Sequence, residues 1–159
     1  MSEPKGLPPS LLDLSQYSDD GLKVLVVEDN DSDFELMCYR LKQGGLKYTA
    51  TRVDRIEDLR RCLEHEEWQV VISDHNLPGF GSEEALRIVR DSGLDIPFII
   101  VSGSIGEHVA VEAMRAGADD YLMKDKMARL VPAIERSLRA ANERRSLAAA
   151  EQAQRESER

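Results

Sequence analysis

The chain has 159 residues, 42% of them hydrophobic, which suits one compact domain with extensions at its ends. Its formal net charge of −9, without a cluster of Lys and Arg, argues against a surface that binds nucleic acid directly. The two cysteines lack metal-ligand spacing, there is no secretory signal, and no apolar run approaches the ~20 residues of a membrane span. These features predict a cytoplasmic protein that does not insert into membranes.

Residues 1–20 are rich in Pro, Ser and Asp, which predicts an irregular amino-terminal arm. From Lys23 onward, short β-branched runs alternate with segments whose apolar residues follow helical spacing, which predicts repeated βα units. Three runs, KVLVV, QVVIS and PFIIVS, are almost continuously apolar, as is typical of parallel strands covered on both faces. The predicted strands are Lys23–Val27, Tyr48–Val53, Gln69–Ser73, Pro97–Ser102 and Tyr121–Met123.

The segments between the strands have the apolar spacing of helices. Ser32 and Glu35 fit a capping box, so we expect the first helix to begin at Ser32. Strict alternation of strands and helices over residues 21–141 predicts one α/β domain with an open, doubly wound, five-stranded parallel sheet. Its expected kind is flavodoxin-like, with strand order 2-1-3-4-5. The predicted helices are Ser32–Gln43, Ile56–Glu64, Ser82–Ser92, Glu107–Ala116 and a long final helix from about Met127.

The final helix has two parts of different character. Apolar residues between Leu130 and Ala141 recur at helical spacing and predict a face that covers the sheet. Beyond Asn142 the sequence is rich in Ala, Glu, Arg and Gln, which favour helix but provide few residues for packing. We therefore expect residues 142–159 to form a projecting helix that links to another domain or pairs with a second copy, although its heptad pattern is weak.

Polar residues lie at the ends of four predicted strands. Glu28 and Asp29 follow the first strand, and Asp74 follows the third. Ser102 ends the fourth strand, and Lys124 follows the fifth. Because the carboxyl ends of parallel strands meet at one edge of the sheet, we expect these side chains to converge. Crowded carboxylates need a compensating cation, and oxygen ligands without His or Cys suit Mg²⁺, so the set predicts phosphoryl chemistry.

Each of these residues also has an ordinary structural interpretation. Asp29 and Asp31 could cap the first helix, and Asp74 could be a turn residue in DHNLPG. The arrival of such residues at four strand ends favours a functional site over separate structural roles. A site for a bound nucleotide is disfavoured, because the acidic loop EDNDSD stands where a glycine-rich phosphate-binding loop would be needed.

Four stretches, spread in order from about Leu22 to Ala141, carry a resemblance to a known family: VLVVEDN, VVISDHNLPG, FIIVSGS and AGADDYLMKD. The chain resembles the receiver domain of bacterial two-component response regulators. The resemblance implies that Asp74 is the nucleophile that accepts a phosphoryl group from the phosphohistidine of a histidine kinase or phosphotransfer protein. It further implies that Asp29 binds Mg²⁺ directly, that Glu28 binds it directly or through water, and that the backbone carbonyl of Asn76 is another ligand.

The resemblance also implies roles after phosphorylation. Lys124 would neutralise charge on the phosphoryl group, and Ser102 would hydrogen-bond to it. Tyr121 would be a switch ring that turns inward when Ser102 moves, and the signal would pass through the face of the fourth helix, fifth strand and fifth helix. The implied function is a phosphorylation-dependent switch with self-catalysed phosphotransfer and dephosphorylation. His75 is interpreted as a variable loop position that tunes water access, not as a phosphohistidine.

Receivers usually place proline after the lysine, joined by a cis peptide, whereas Asp125 follows Lys124 here. This peptide is therefore either trans or a costly non-proline cis bond. The long charged helix also resembles receivers at the amino end of hybrid sensor kinases and cyclic-dinucleotide enzymes, which implies a fused or downstream output domain. Two alternatives stay open: a pseudo-receiver that only binds other proteins, and a haloacid-dehalogenase-type phosphohydrolase, whose DxD motif the sequence EDN lacks.

Overall fold

A computed structural model of the chain describes residues 21–77, 79–103 and 107–158. The predicted amino-terminal arm lies outside these residues, as do Ser104 to Gly106 in the loop before the fourth helix. Within the described residues, strands and helices alternate as the sequence predicts. The strands of the main sheet are β1 (Leu22–Val27), β2 (Tyr48–Val53), β3 (Val70–Asp74), β4 (Phe98–Ser102) and β5 (Asp120–Met123). The helices are α1 (Asp31–Gln43), α2 (Ile56–His65), α3 (Ser82–Asp91), α4 (Glu107–Arg115) and α5 (Leu130–Ser157).

The five strands are parallel and lie in the order β2-β1-β3-β4-β5, which confirms the predicted flavodoxin-like, doubly wound sheet. Neighbouring strands end nearly level with one another, so the loops after β1, β3, β4 and β5 open at the same edge. A short antiparallel pair, Asn76–Leu77 with Phe80–Gly81, follows β3. The last register pairs are Val27 with Ser73, Asp74 with Val101 and Ser102 with Met123.

The sheet separates two hydrophobic cores, because alternate side chains of a strand face opposite sides. One core lies under α1 and α5, and the other lies under α2 and α3. Both β3 and β4 are buried along their whole length, which explains why their sequences lack the polar alternation of a half-exposed strand. The first core includes Val24, Met37, Leu41, Ile72, Ile99 and Ile134, and the second includes Leu25, Leu59, Leu63, Val71, Val89 and Ile100.

The start of α1 differs from the prediction. The helix begins at Asp31, and Asn30 is its N-cap, with Oδ1 accepting a hydrogen bond of 2.9 Å from the backbone N–H of Asp33. The capping box predicted from Ser32 and Glu35 is therefore wrong. Asn is as good a cap as Ser, and Asn30 already has the extended backbone that a cap requires, with φ −100° and ψ 121°.

The last helix, α5, extends well beyond the domain core. A 3-10 helix over Lys124–Arg129 precedes it, so regular α-helix begins at Leu130, slightly later than predicted. Its buried residues stop at Ala141. Just beyond, Arg144 donates hydrogen bonds of 2.9 and 3.3 Å to the Asp95 carboxylate in the loop before β4, which holds the pKa of Asp95 below its usual value. Over residues 21–158, apart from the gaps stated above, no helix combines the length and apolarity that crossing a membrane requires.

Contact between the end of α1 and the start of α5 provides a test of this packing. Gly44 is the C-cap of α1, and a Cβ added there would lie 2.5 Å from Cγ2 of Val131. Since φ at Gly44 is −77°, alanine would meet no backbone strain and the cost would be steric. We expect Gly44→Ala to lower the free energy of unfolding by ~1–3 kcal/mol in urea denaturation. The same change in a Val131→Ala background should cost much less, and an equal cost in both backgrounds would contradict the contact.

Candidate functional site

The carboxyl edge of the sheet carries a compact acidic cluster. Glu28 follows β1, Asp33 lies in the first turn of α1, and Asp74 ends β3. One carboxylate oxygen from each of the three lies within 4.8 Å of the others. Carboxylates this close repel one another, so the cluster requires positive charge nearby.

Lys124 supplies positive charge to the cluster from the end of β5. Its Nζ lies 2.6 Å from Asp33 Oδ2, 3.1 Å from Asp74 Oδ2 and 3.2 Å from Glu28 Oε1. The ammonium donates hydrogen bonds to Asp33 and Asp74. The contact with Glu28 is an ion pair without hydrogen-bond alignment. One ammonium group therefore compensates the charge of three carboxylates only in part.

Glu28 is fully buried, which is costly for a carboxylate. Its Oε2 accepts hydrogen bonds from the backbone N–H of Asp29 at 3.0 Å and of Asn30 at 3.4 Å. Its Oε1 is also buried but accepts no hydrogen bond from the described residues. Burial, reinforced by the hydrogen bond and charge of Asp74 and opposed by Lys124, raises the pKa of Glu28 to about 7. The protein residues alone thus leave the site with an excess of negative charge.

Lys124 keeps its charge in this setting. Burial lowers the pKa of Lys124, but the hydrogen bonds with Asp33 and Asp74 and the charges of Glu28 and Asp74 outweigh burial and leave the pKa above its usual value. No cis peptide occurs in the described ranges, so the Lys124–Asp125 bond is trans. The chain turns directly into the 3-10 helix after β5, which leaves Lys124 at the cluster although proline is missing.

The other residues of the predicted site lie at the same edge of the sheet. Asp29 is exposed, and its side chain does not belong to the cluster of three carboxylates. Asn76 directs its backbone N–H toward Asp74 Oδ1 at a long 3.4 Å. Ser102 is fully buried and follows Val101, the residue that pairs with Asp74 across the sheet. The ligand and hydrogen-bonding roles of Asp29, Asn76 and Ser102 stay predictions.

Tyr121 and His75 form a second layer beside the cluster. Tyr121 lies half-buried in β5, and its Oη is buried without a hydrogen-bond partner in the described part of the chain. The ring centroids of His75 and Tyr121 are 6.0 Å apart. His75 Nδ1 also shares a hydrogen bond of 2.9 Å with Oγ of Ser82, which is buried at the start of α3. The residue after Asp74 is therefore packed between α3 and the predicted switch ring.

Asp33 is the residue of this site that the sequence interpretation overlooked. An acidic residue in the first turn of a helix is usually explained by the helix dipole, and Asp31 and Asp33 both fit that explanation. No local pattern distinguished Asp33 from Asp31, because both lie in the first turn of α1 and only Asp33 contacts Lys124. With Asn30 as the cap, Asp33 faces Lys124 across the sheet edge.

The donor set fits a hard divalent cation. Within the described residues, three carboxylate oxygens converge, neither His nor Cys belongs to the cluster, and Glu28 Oε1 is buried without a hydrogen bond. Oxygen-only sites with several carboxylates suit ions such as Mg²⁺. Burial, reinforced by the nearby Asp74 carboxylate, raises the pKa of Glu28, and a bound cation would favour its ionised form.

The doubly wound parallel sheet, with an acidic cluster and a lysine at its carboxyl edge, makes this chain a flavodoxin-like α/β domain with a candidate cation site. The pattern of the family described as "Response regulator receiver domain" matches residues 24–135 of this chain. The chain belongs to this family, whose members act in two-component phosphorelay signalling.

Two relatives show how much of a longer protein this chain resembles. The chain is 37% identical over 107 residues to the response regulator protein FleR of Pseudomonas aeruginosa, covering 67% of this chain and 22% of FleR. It is 28% identical over 122 residues to the cell cycle transcriptional regulator CtrA of Caulobacter vibrioides, covering 73% of this chain and 52% of CtrA. The chain thus spans between 22% and 52% of the length of these curated relatives.

Solved structures agree with the fold. The receiver domain of the sensor histidine kinase PA1611 from Pseudomonas aeruginosa has a TM-score of 0.63 and 26% identity, over 74% of this chain and 98% of that one. That structure holds a magnesium ion in its active-site cleft. A response regulator receiver domain protein from Clostridium thermocellum has a TM-score of 0.64 and 25% identity, over 79% of this chain and 98% of that one.

Crowding in the acidic cluster predicts an unusual effect on stability. Without divalent cations, Asp74→Asn should raise the melting temperature, because it removes one of three carboxylates that share a single ammonium. A gain of about 1 kcal/mol corresponds to roughly 2–4 °C for a chain of this size. Thermal unfolding in chelator measures it, with Asp91→Asn, an exposed charge at the end of α3, as the control. A lower melting temperature for Asp74→Asn would show that the cluster is not repulsive.

Proposed function

We propose that this chain is a phosphorylation switch in which Asp74 accepts a phosphoryl group from the phosphohistidine of a histidine kinase or phosphotransfer protein. The observation that carries the proposal is the position of Asp74, whose Oδ2 lies 3.1 Å from Lys124 Nζ within a buried acidic cluster. Membership of the receiver family supports the same assignment. A pseudo-receiver without phosphorylation is not favoured, because the carboxylates and the lysine are all retained.

In this proposal Glu28, Asp29 and Asp74, with the backbone carbonyl of Asn76, hold Mg²⁺. The excess negative charge of the cluster and the buried Glu28 Oε1 support cation binding. When bound, Mg²⁺ would neutralise the cluster and the phosphate oxygens. The magnesium ion in the receiver domain of PA1611 is a precedent within a similar fold.

The chain's own residues provide the remaining chemistry. A carboxylate oxygen of Asp74 attacks phosphorus, the phosphorus–nitrogen bond of the phosphohistidine breaks, and the imidazole nitrogen keeps the electron pair. Lys124 and the hydroxyl of Ser102 then donate hydrogen bonds to the phosphoryl oxygens, where negative charge must be stabilised. In dephosphorylation, a water oxygen attacks phosphorus, the bond between phosphorus and the Asp74 oxygen breaks, and the Asp74 carboxylate leaves with the electron pair as phosphate is released. Burial of Asp74, which is only 7% exposed, limits the access of water.

The conformational effect of phosphorylation would reach the protein surface through Ser102 and Tyr121. A buried hydroxyl without a partner is unfavourable, so Tyr121 gains from any rearrangement that gives its Oη a hydrogen bond. Val111 and Met114 of α4, both about half exposed, line a cavity together with Tyr121. Movement of the Tyr121 ring would therefore change a surface of α4 and β5 to which partners can bind.

The terminal helix would carry the signal onward. Residues 142–159 would act as a helical linker to a fused or downstream output domain, or as a dimerisation helix. The ion pair of Arg144 with Asp95 anchors its base to the domain, and Leu147 is 62% exposed beyond it. The size of FleR and CtrA relative to the matched region supports an output domain outside this chain.

The phosphoacceptor role predicts a specific covalent change. With acetyl phosphate and Mg²⁺, the protein should gain the mass of one phosphoryl group, because Asp74 is positioned to attack beside Lys124. Asp74→Asn should abolish the gain, and chelator should prevent it in the wild-type protein. Intact-mass spectrometry measures the result, and Asp91→Asn is the matched control. A mass gain that survives in Asp74→Asn would reject Asp74 as the acceptor.

The dimerisation role predicts a change in molecular mass. Truncation after Ala141 keeps every buried residue of α5, so the domain should stay folded. If the helix pairs two copies, light scattering should report a dimer for the full chain and a monomer for the truncated one. An unchanged molecular mass on truncation would leave only the linker role.

A further inference from the structure

We infer that Asp33 is a positioning residue that holds the Lys124 ammonium away from the incoming phosphoryl group and thereby slows phosphorylation of Asp74. The inference rests on the proposed role of Asp74 as the phosphoacceptor. It concerns a side chain of α1 that lies outside the set implied by the family resemblance.

The Asp33 carboxylate makes the shortest contact of Lys124. The distance from Nζ is 2.6 Å, against 3.1 Å to Asp74 and 3.2 Å to Glu28. The Lys124 side chain is only 20% exposed and that of Asp33 35%, so water screens this charge-assisted hydrogen bond only in part. An ammonium has three hydrogens, and two of them already point to Asp33 and Asp74.

The backbone of Asp33 is fixed independently of Lys124. Its N–H donates to the Asn30 cap, which sets the first turn of α1 and the direction of the side chain. The ordinary role of an acidic residue near a helix N-terminus is shared by Asp31 in the same turn. Asp31, however, pairs with Arg52 of β2 at 2.6 Å and does not belong to the carboxylate cluster found among the described residues. The two aspartates therefore separate a general helix effect from an effect on Lys124.

Phosphorylation changes the competition for the ammonium. The new phosphoryl group brings negative oxygens to Asp74, and Lys124 must donate to them. Of the three carboxylates around Lys124, Glu28 and Asp74 are assigned to the proposed Mg²⁺ site, whereas Asp33 makes the shortest contact with the ammonium. Movement of the ammonium toward the new phosphoryl oxygens would lengthen the Asp33 hydrogen bond, its shortest contact, so we expect that bond to oppose the movement. Its removal should lower the barrier.

Phosphorylation kinetics with acetyl phosphate and Mg²⁺ test the inference in the full chain. In this reaction the bond between phosphorus and the bridging oxygen breaks, acetate leaves with the electron pair, and a bond forms between phosphorus and Asp74. Asp33→Asn should be phosphorylated about fivefold faster than the wild type, the scale expected for one partly shielded ion pair. Asp31→Asn should keep the wild-type rate. An unchanged or slower rate for Asp33→Asn would overturn the inference.

A double-mutant cycle separates positioning from simple repulsion of the anionic donor. If Asp33 acts through Lys124, then Asp33→Asn should have no effect on the rate in a Lys124→Gln background. If the acceleration is the same in both backgrounds, Asp33 acts only by its charge, and the positioning role is rejected. Melting temperatures of all variants, measured in parallel, identify any variant that is poorly folded.

A spectroscopic readout does not depend on phosphorylation. The side-chain ammonium of Lys124 should give an NMR signal protected from fast solvent exchange in the wild type, and Asp33→Asn should lose that protection while Asp31→Asn keeps it. If Asp33→Asn keeps the protection as Asp31→Asn does, the contact between Asp33 and Lys124 is contradicted. If the wild type is not modified on Asp74, the proposed function fails, whereas the NMR experiment still decides whether Asp33 holds Lys124.

Discussion

The sharing of one ammonium by three carboxylates at a buried sheet edge is the interaction on which this structure depends. Lys124 lies within 3.2 Å of oxygens from Glu28, Asp33 and Asp74, and the positive charge is smaller than the negative charge around it. Such a cluster weakens the folded state, because its negative charges repel one another and a single ammonium compensates only part of them. A domain that served only as a packing unit would gain stability by replacing it. The cluster is therefore best understood as a site that binds additional positive charge.

The fold delivers these side chains from four separate positions in the chain. The strand order and register bring the ends of β1, β3 and β5 to one edge, and the two flanking cores hold the strands rigidly in place. The Asn30 cap sets α1 so that Asp33 enters the cluster. The trans peptide and 3-10 helix after β5 keep Lys124 there without the usual proline. Local turn chemistry and global packing thus determine the electrostatics together.

The surroundings of the cluster connect it to the rest of the molecule. His75 contacts both the Tyr121 ring and Ser82 at the start of α3, so the residue next to Asp74 is held on two sides. The buried hydroxyl of Tyr121 has no hydrogen-bond partner among the described residues, whereas most buried polar groups in proteins are hydrogen-bonded. The environment of the Tyr121 ring is thus linked through His75 to the residue that follows Asp74. The long α5 helix begins only six residues after Lys124, which links the site to the terminal helix through the 3-10 segment.

The sequence alone determined the fold class, the strand order and the convergence of Asp74 and Lys124. Continuous apolar runs reveal buried parallel strands, and the polar residues that follow such strands necessarily lie at one edge of the sheet. The sequence also identified Glu28 through its place directly after β1. The predicted start of α1 was wrong, because Ser and Asn are similarly favourable N-caps. The backbone path out of β1 decides that Asn30, and not Ser32, is the N-cap. Asp33 was overlooked because its hydrogen bond with Lys124 joins residues that are 91 positions apart in the sequence. The two contacts of His75, and the absence of a hydrogen-bond partner for the buried Tyr121 Oη among the described residues, were likewise decided by tertiary packing, because each depends on which distant atoms lie within a few ångströms.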